Sequence, residues 1–223
     1  MKQHADKIKS LFKSITSMLF SFLIIGTALI FLFKYLGVEV FTASLLASQI
    51  AILMYAFFLI DFDFNYLWER VKGKTNVEAI FITIGVVILM FMSNAMFSLL
   101  LAGQGFTSDT TASAVNSGTV LASFILPVIF APIAEELAFR VGLKKMLVDK
   151  GGFKPITYVV LSSLLFGALH WQPGQFGLII VAMTGAIGLI KSFIYLKTDN
   201  VLITIAGHMI YNGIIMTIAM TIL

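Results

Sequence analysis

The chain contains no cysteine, which removes disulfide frameworks, thiolate metal sites and cysteine nucleophiles together. Charge is also scarce. Only 12% of residues are Asp, Glu, Lys or Arg, against about 25% in soluble domains. No internal repeat and no linker-like stretch divides the chain. What is abundant is apolar: 59% of the 223 residues are hydrophobic and the mean hydropathy is +1.00, which excludes an ordinary soluble domain. A net charge of +4 and a pI near 9.3 suggest a nucleic-acid partner. The basic residues, however, sit between long apolar runs and line no solvated face, so no nucleic-acid role is expected.

A bilayer core about 30 Å thick takes roughly 20 apolar residues per helix. Seven runs qualify, near 15–36, 40–60, 77–102, 118–139, 156–171, 176–196 and 201–222. The fold class is therefore all-α, a polytopic transmembrane helix bundle of about seven spans. A basic tail (1–14) precedes the bundle (15–223). The first run is too long for the apolar core of a signal peptide and lacks a small-residue cleavage site, so it reads as a retained helix. Basic residues set the orientation. Lys2, Lys7, Lys9 and Lys13, then Arg70, Lys72 and Lys74, then Lys144, Lys145, Lys150 and Lys154, then Lys191 and Lys197 fall on one side. Lys34 alone falls on the other. A cytoplasmic N-terminus is the expectation, with the polar loop 103–118 as an external connector.

Ionisable groups inside a span cost about 2.5–3.5 kcal/mol each on insertion scales, so they face a cavity or a partner. Here they gather in the C-terminal half. The fourth span carries Pro132, Glu135, Glu136 and Arg140, the fifth ends Phe166-Gly-Ala-Leu-His170, and the seventh contains His208-Met-Ile-Tyr-Asn212. Glu136 and Arg140 are spaced i, i+4 for an ion pair along one helix face. Glu135 points about 100° away from Glu136. His208 and Asn212 form two prongs one turn apart, and Phe166 is placed to lay its ring beside His170. A carboxylate with a nearby imidazole activates water, and further imidazole and amide donors stabilise an oxyanion. Glu135, His170 and His208 equally make a three-ligand zinc set. The spacing leaves both chemistries open.

Each feature alone has a plainer reading. An i, i+4 Glu–Arg pair is commonly a structural bridge, and an intramembrane Asn commonly bonds a neighbouring helix. Trp68 and Trp171 read as interfacial anchors, Gln49 and Asn94 as helix–helix contacts, and His4 as part of the basic tail. The coincidence carries more weight: three polar groups, in three spans, all at i, i+4 spacing.

Taken in order, Glu135-Glu136-x-x-x-Arg140, Phe166-x-x-x-His170 and His208-x-x-x-Asn212 resemble the signature of the CAAX protease and bacteriocin-processing family, also called the Abi family. The resemblance covers about 118–215 and implies an intramembrane glutamic endopeptidase, in a fold that often has eight spans. It implies that Glu135 and His170 activate water and that His208 and Asn212 hold the oxyanion. Glu136, Arg140 and Phe166 would support the site or contact substrate, and no metal would be required. The implied partners are the lipid bilayer and a peptide or membrane-protein substrate, in a bacterial cell membrane. Bacteriocin self-immunity or peptide maturation is the matching role. The alternatives are a non-enzymatic immunity or scaffold protein using the same cavity, and a small proton-coupled transporter. No inverted repeat supports the transporter. His-Glu-x-x-His, Gly-x-Ser-x-Gly and Gly-x-Gly-Asp are all absent, which argues against other intramembrane protease chemistries.

Overall fold

The computed structural model describes residues 2–71, 75–100, 115–116, 119–174 and 176–222. Lys72, Lys74, the His4 side chain and all but two residues of the 103–118 loop lie outside the described residues, and so do the expectations attached to them. The described residues contain helices and no strand. In chain order these are α1 (2–35), α2 (Val40–Leu59), the short α3 (Phe64–Trp68), α4 (Val77–Leu100), α5 (Leu121–Lys150), α6 (Pro155–Leu169), α7 (Gly177–Thr198) and α8 (Val201–Ile222). Six of them are long and apolar enough to cross a membrane, while α6, with 15 residues, is shorter. The protein is an all-α polytopic bundle built for a lipid bilayer. Many of its large apolar side chains, Phe81, Leu164 and Leu178 among them, lie on the outside.

Local chemistry sets the helix ends. Glu39 opens α2 by accepting the backbone N–H groups of Phe41 and Thr42 at 2.8 and 2.9 Å, an N-cap arrangement. Asp63 does the same for α3 through the Tyr66 N–H at 3.0 Å, and Asn76 for α4 through that of Ala79 at 2.7 Å. Pro155 starts α6, where its missing N–H costs nothing. Asp199 ends α7 in the left-handed conformation at φ 47°. Asn200 then accepts the Leu202 N–H at 3.1 Å, so α7 and α8 are joined by two residues.

The fourth run corrects its expected end. Its helix does not stop near 139 but continues to Lys150, because the basic segment after Arg140 packs inside the protein: Lys145, Met146 and Leu147 are buried. Glu135 and Glu136 therefore lie in the middle of α5. This helix is mostly wound in π turns (Leu121–Phe130, Leu137–Gly142, Lys145–Lys150), interrupted by the α-helical Ala131–Glu136. Such turns are frequent at functional sites.

The two larger apolar clusters carry most of the bundle's packing. One joins Tyr55 and Leu59 of α2, Ala138, Phe139 and Leu143 of α5, Tyr158 and Phe166 of α6, and Tyr195 of α7. The other joins Val86 and Met90 of α4, Ile187 of α7, and Ile203 and Tyr211 of α8. Glycines allow the closest crossing, that of α6 with α7. A Cβ on Gly167 would lie 2.5 Å from the Val181 carbonyl oxygen and 3.1 Å from the Gly185 Cα, the small-residue packing common between membrane helices. Asn94 acts as a helix–helix contact through its side-chain hydrogen bond to Tyr211. Gln49 Oε1 is buried without a partner.

Candidate functional site

A polar layer lies where α5, α6, α7 and α8 meet. Its position follows from chain geometry. Ser162 is seven residues from the start of α6, Lys191 seven from the end of α7, and His208 seven from the start of α8. All three thus stand about 10 Å along their helices from the same end of the bundle. α5 passes between them with Glu136 and Arg140.

Glu136 is the centre, fully buried. Its Oε2 accepts from Arg140 Nε at 2.9 Å and its Oε1 from Lys191 Nζ at 2.5 Å. Nδ1 of His208 lies 3.0 Å from the same Oε1 and 2.9 Å from Lys191 Nζ. The Arg140 guanidinium also donates to the hydroxyls of Ser162 at 2.7 Å and Ser192 at 3.1 Å, and the Ser162 hydroxyl donates in turn to the Phe139 carbonyl at 2.7 Å. Phe166 floors the layer. Its ring centroid lies 4.1 Å from Lys191 Nζ and 5.1 Å from the Arg140 guanidinium carbon, distances suited to cation–π attraction.

Glu135, the next residue, is also buried, but its Oε2 has no hydrogen-bond partner. The nearest cationic or imidazole nitrogen to that oxygen is His208 Nε2, at 3.9 Å. This is too long for a hydrogen bond. An oxygen atom placed off the line between them can sit about 2.8 Å from both.

His170 closes α6. Its ring stands 4.7 Å from that of Phe166, which in turn is 6.1 Å from the His208 ring. His170 Nδ1 is 2.9 Å from the Phe166 carbonyl oxygen. A carbonyl only accepts, so Nδ1 carries a proton, and in the neutral ring the lone pair is then on Nε2. His170 and Glu135 make no direct hydrogen bond; the Phe166 ring stands between His170 and His208, and it is His208 that lies beside Glu135. α6 is short: its 15 residues rise about 22 Å, less than a bilayer core about 30 Å thick, and His170 stands at its C-terminal end.

Asn212 Nδ2 donates to the Pro127 carbonyl at 2.8 Å. In the π-wound segment the Ala131 N–H bonds the Leu126 carbonyl, five residues back. The same register would pair the Pro127 carbonyl with residue 132, a proline without an N–H. Asn212 supplies the missing donor, and the second proton of its amide remains for another acceptor.

The structure therefore brings Glu135, Glu136, Arg140, Phe166 and His208 into one cluster, and attaches His170 through Phe166 and Asn212 through α5. It also corrects the sequence reading at Lys191, which is not a charge on the basic face but fully buried in the site. Ser162 and Ser192 belong to the cluster and were missed too. A signal existed for each. Thr198-Asp199-Asn200 marks the end of α7, which places Lys191 two turns inside. Ser162 lies i−4 from Phe166, on the His170 face.

Among the described residues no group of three or more His, Asp or Glu side chains is placed to hold a metal ion. The alternative zinc set of Glu135, His170 and His208 is not brought together as such a group.

A protein-family model described as Rce1-like, "Type II CAAX prenyl endopeptidase Rce1-like", matches residues 116–214, a little under half of the chain. That segment is homologous to the Rce1-like, or Abi, CAAX-protease superfamily, and it contains every member of the polar cluster. No curated protein and no solved structure matches the chain.

Proposed function

We propose that this protein is an intramembrane endopeptidase of the CAAX-protease and bacteriocin-processing type, which hydrolyses a peptide bond in a peptide or membrane-associated protein. One observation carries the reading: of two adjacent buried carboxylates, Glu136 is saturated and Glu135 keeps an oxygen without a partner. A buried carboxylate left this way costs stability. A general base needs that lone pair to take a proton from water.

The remaining groups fall into place around it. Glu135, assisted by the bare Nε2 of His170, removes a proton from a water molecule. The water oxygen bonds to the scissile carbonyl carbon while the carbonyl electrons move to its oxygen. Nε2–H of His208 and the second amide proton of Asn212 stabilise that oxyanion. As the oxyanion collapses, the C–N bond breaks, and the proton taken from water passes to the leaving amine. Glu136, Arg140 and Phe166 hold the base and the donors in register. The basic end of the bundle faces the cytoplasm in this reading.

The role that fits best is bacteriocin self-immunity or peptide maturation. A binding protein using the same cavity is the second reading, and the unpartnered Glu135 oxygen favours neither peptide capture nor scaffolding over catalysis. The test is cleavage by the protein purified into vesicles, assayed on membrane-anchored peptides. Activity lost in Glu135→Gln and unaffected by metal chelators supports the proposal. A Glu135→Gln protein with full biological activity replaces it with the binding reading.

A further inference from the structure

Lys191 is a fully buried lysine that none of the three motifs includes, and its ammonium nitrogen touches both Glu136 and His208. We infer that Lys191 is a positioning residue that locks His208 in the tautomer carrying its proton on Nε2, the nitrogen that faces Glu135. The inference rests on the peptidase reading only for its catalytic consequence.

The geometry allows two arrangements around His208 Nδ1. Either Nδ1 donates to Glu136 Oε1, at 3.0 Å, or it accepts from Lys191, at 2.9 Å. An ammonium has three donors and no acceptor. With a proton on Nδ1, two N–H groups would meet head-on across 2.9 Å, so the contact is bonding only when Nδ1 offers its lone pair. A bare Nδ1 then lies 3.0 Å from Glu136 Oε1, acceptor against acceptor, and the Lys191 ammonium, which donates to both, offsets that repulsion.

Charge disfavours the remaining possibility, a ring protonated on both nitrogens. Arg140 and Lys191 bring two positive charges into the layer, and Glu135 and Glu136 two negative ones. The layer is neutral with a neutral imidazole, and an imidazolium would leave one uncompensated buried charge. Lys191 therefore does two things. It balances the Glu135 carboxylate, and it aims a proton from Nε2 into the gap where an oxygen would sit. His170, held by the Phe166 carbonyl, has the opposite tautomer. One imidazole is thus prepared to accept a proton and the other to donate a hydrogen bond.

The tautomers are readable by nitrogen-15 NMR of histidine-labelled protein in lipid discs. The chain has only three histidines, and a His4→Gln, His170→Gln protein leaves His208 alone. We expect a protonated Nε2 and a bare Nδ1 for His208, and the reverse for His170 in the protein that retains it. Lys191→Met should lose the His208 signature, and Lys191→Arg should keep it. In peptide cleavage Lys191→Met should lower kcat by about 10²–10³, the loss of one oxyanion donor, with KM little changed, and Lys191→Arg should recover much of it. A protonated Nδ1 on His208 in the unaltered protein overturns the inference, as does an unchanged signature in folded Lys191→Met. Should Lys191→Met not fold, the signatures of the unaltered protein and Lys191→Arg decide it. Correct tautomers without any cleavage would remove the peptidase reading and leave the Lys191 assignment standing.

Discussion

Glu135 and Glu136 are covalent neighbours with opposite surroundings. Glu136 accepts from Arg140 and Lys191 with its two oxygens, while Glu135 leaves its Oε2 without a hydrogen-bond partner. The step of about 100° per residue separates them, and each inherits what stands on its own side of α5.

Neutralising the two carboxylates should have different consequences. Glu135→Gln is expected to fold and accumulate like the parent and to lose cleavage. Glu136→Gln strands Arg140 and Lys191 as buried cations, and breaking such a pair costs about 3–5 kcal/mol. Thermal unfolding of the two purified variants checks this. Equal stabilities would show that Glu136 is not the structural member of the pair.

The α6–α7 crossing depends on the absence of a side chain at Gly167. Gly167→Ala forces a Cβ to within 2.5 Å of the Val181 carbonyl, a backbone atom that cannot rotate away. Overpacking of this kind costs about 1–3 kcal/mol. The helices should part slightly, and His170, three residues on, should lose its position. A melting temperature and cleavage rate matching the parent would refute the close crossing.

Asn212 and Pro132 should be energetically coupled through the Pro127 carbonyl. Pro132→Ala restores an N–H that can reach the Pro127 carbonyl, so Asn212→Ala should destabilise the Pro132→Ala protein less than the parent. A double-mutant cycle should give a coupling of at least about 0.5 kcal/mol. Additive effects would mean that the amide does not replace a missing backbone donor. In cleavage, Asn212→Ala should lower kcat with KM little changed if its second proton meets the oxyanion.

One pH effect follows from the basic end of the bundle. The Lys145 ammonium, at 2.8 Å, and the Tyr66 backbone N–H hold the Asp63 carboxyl below its usual range. A carboxylate lowered in the folded state binds fewer protons there than in the unfolded chain. Its contribution is therefore complete above about pH 3.9, the unperturbed carboxylate value, and is lost as pH falls through the lower folded value. Asp63→Asn should lower neutral-pH stability slightly and flatten the acid limb by the same small amount, because Asp63 is half exposed and its pair screened. Melts between pH 2 and pH 7 would show it. An identical acid limb in both proteins would rule out the Asp63–Lys145 pair as its source.

Much of this protein was determined by local sequence. Hydropathy and helix length specify an apolar helical bundle without reference to any contact, since the bilayer makes the same demand of every span. The i, i+4 offsets specify the Glu136–Arg140 bond and the Phe166–His170 ring contact, because one helical turn brings those residues together wherever the helix goes. Tertiary structure decided the rest. Hydropathy placed the end of α5 at the first cluster of charges, yet Lys145 is buried against the Ile60 carbonyl and Asp63, partners more than 80 residues away. Pro127 and Asn212 are 85 residues apart, and only their approach shows that a side chain completes a helix broken by a proline. Lys191 is the clearest case. A lysine near the end of an apolar run looks like a loop charge, because sequence records its distance from the turn but not what surrounds it. Glu136 is 55 residues away from it and His208 17, and the packing of α5 against α7 and α8 is what turns that lysine into part of the site.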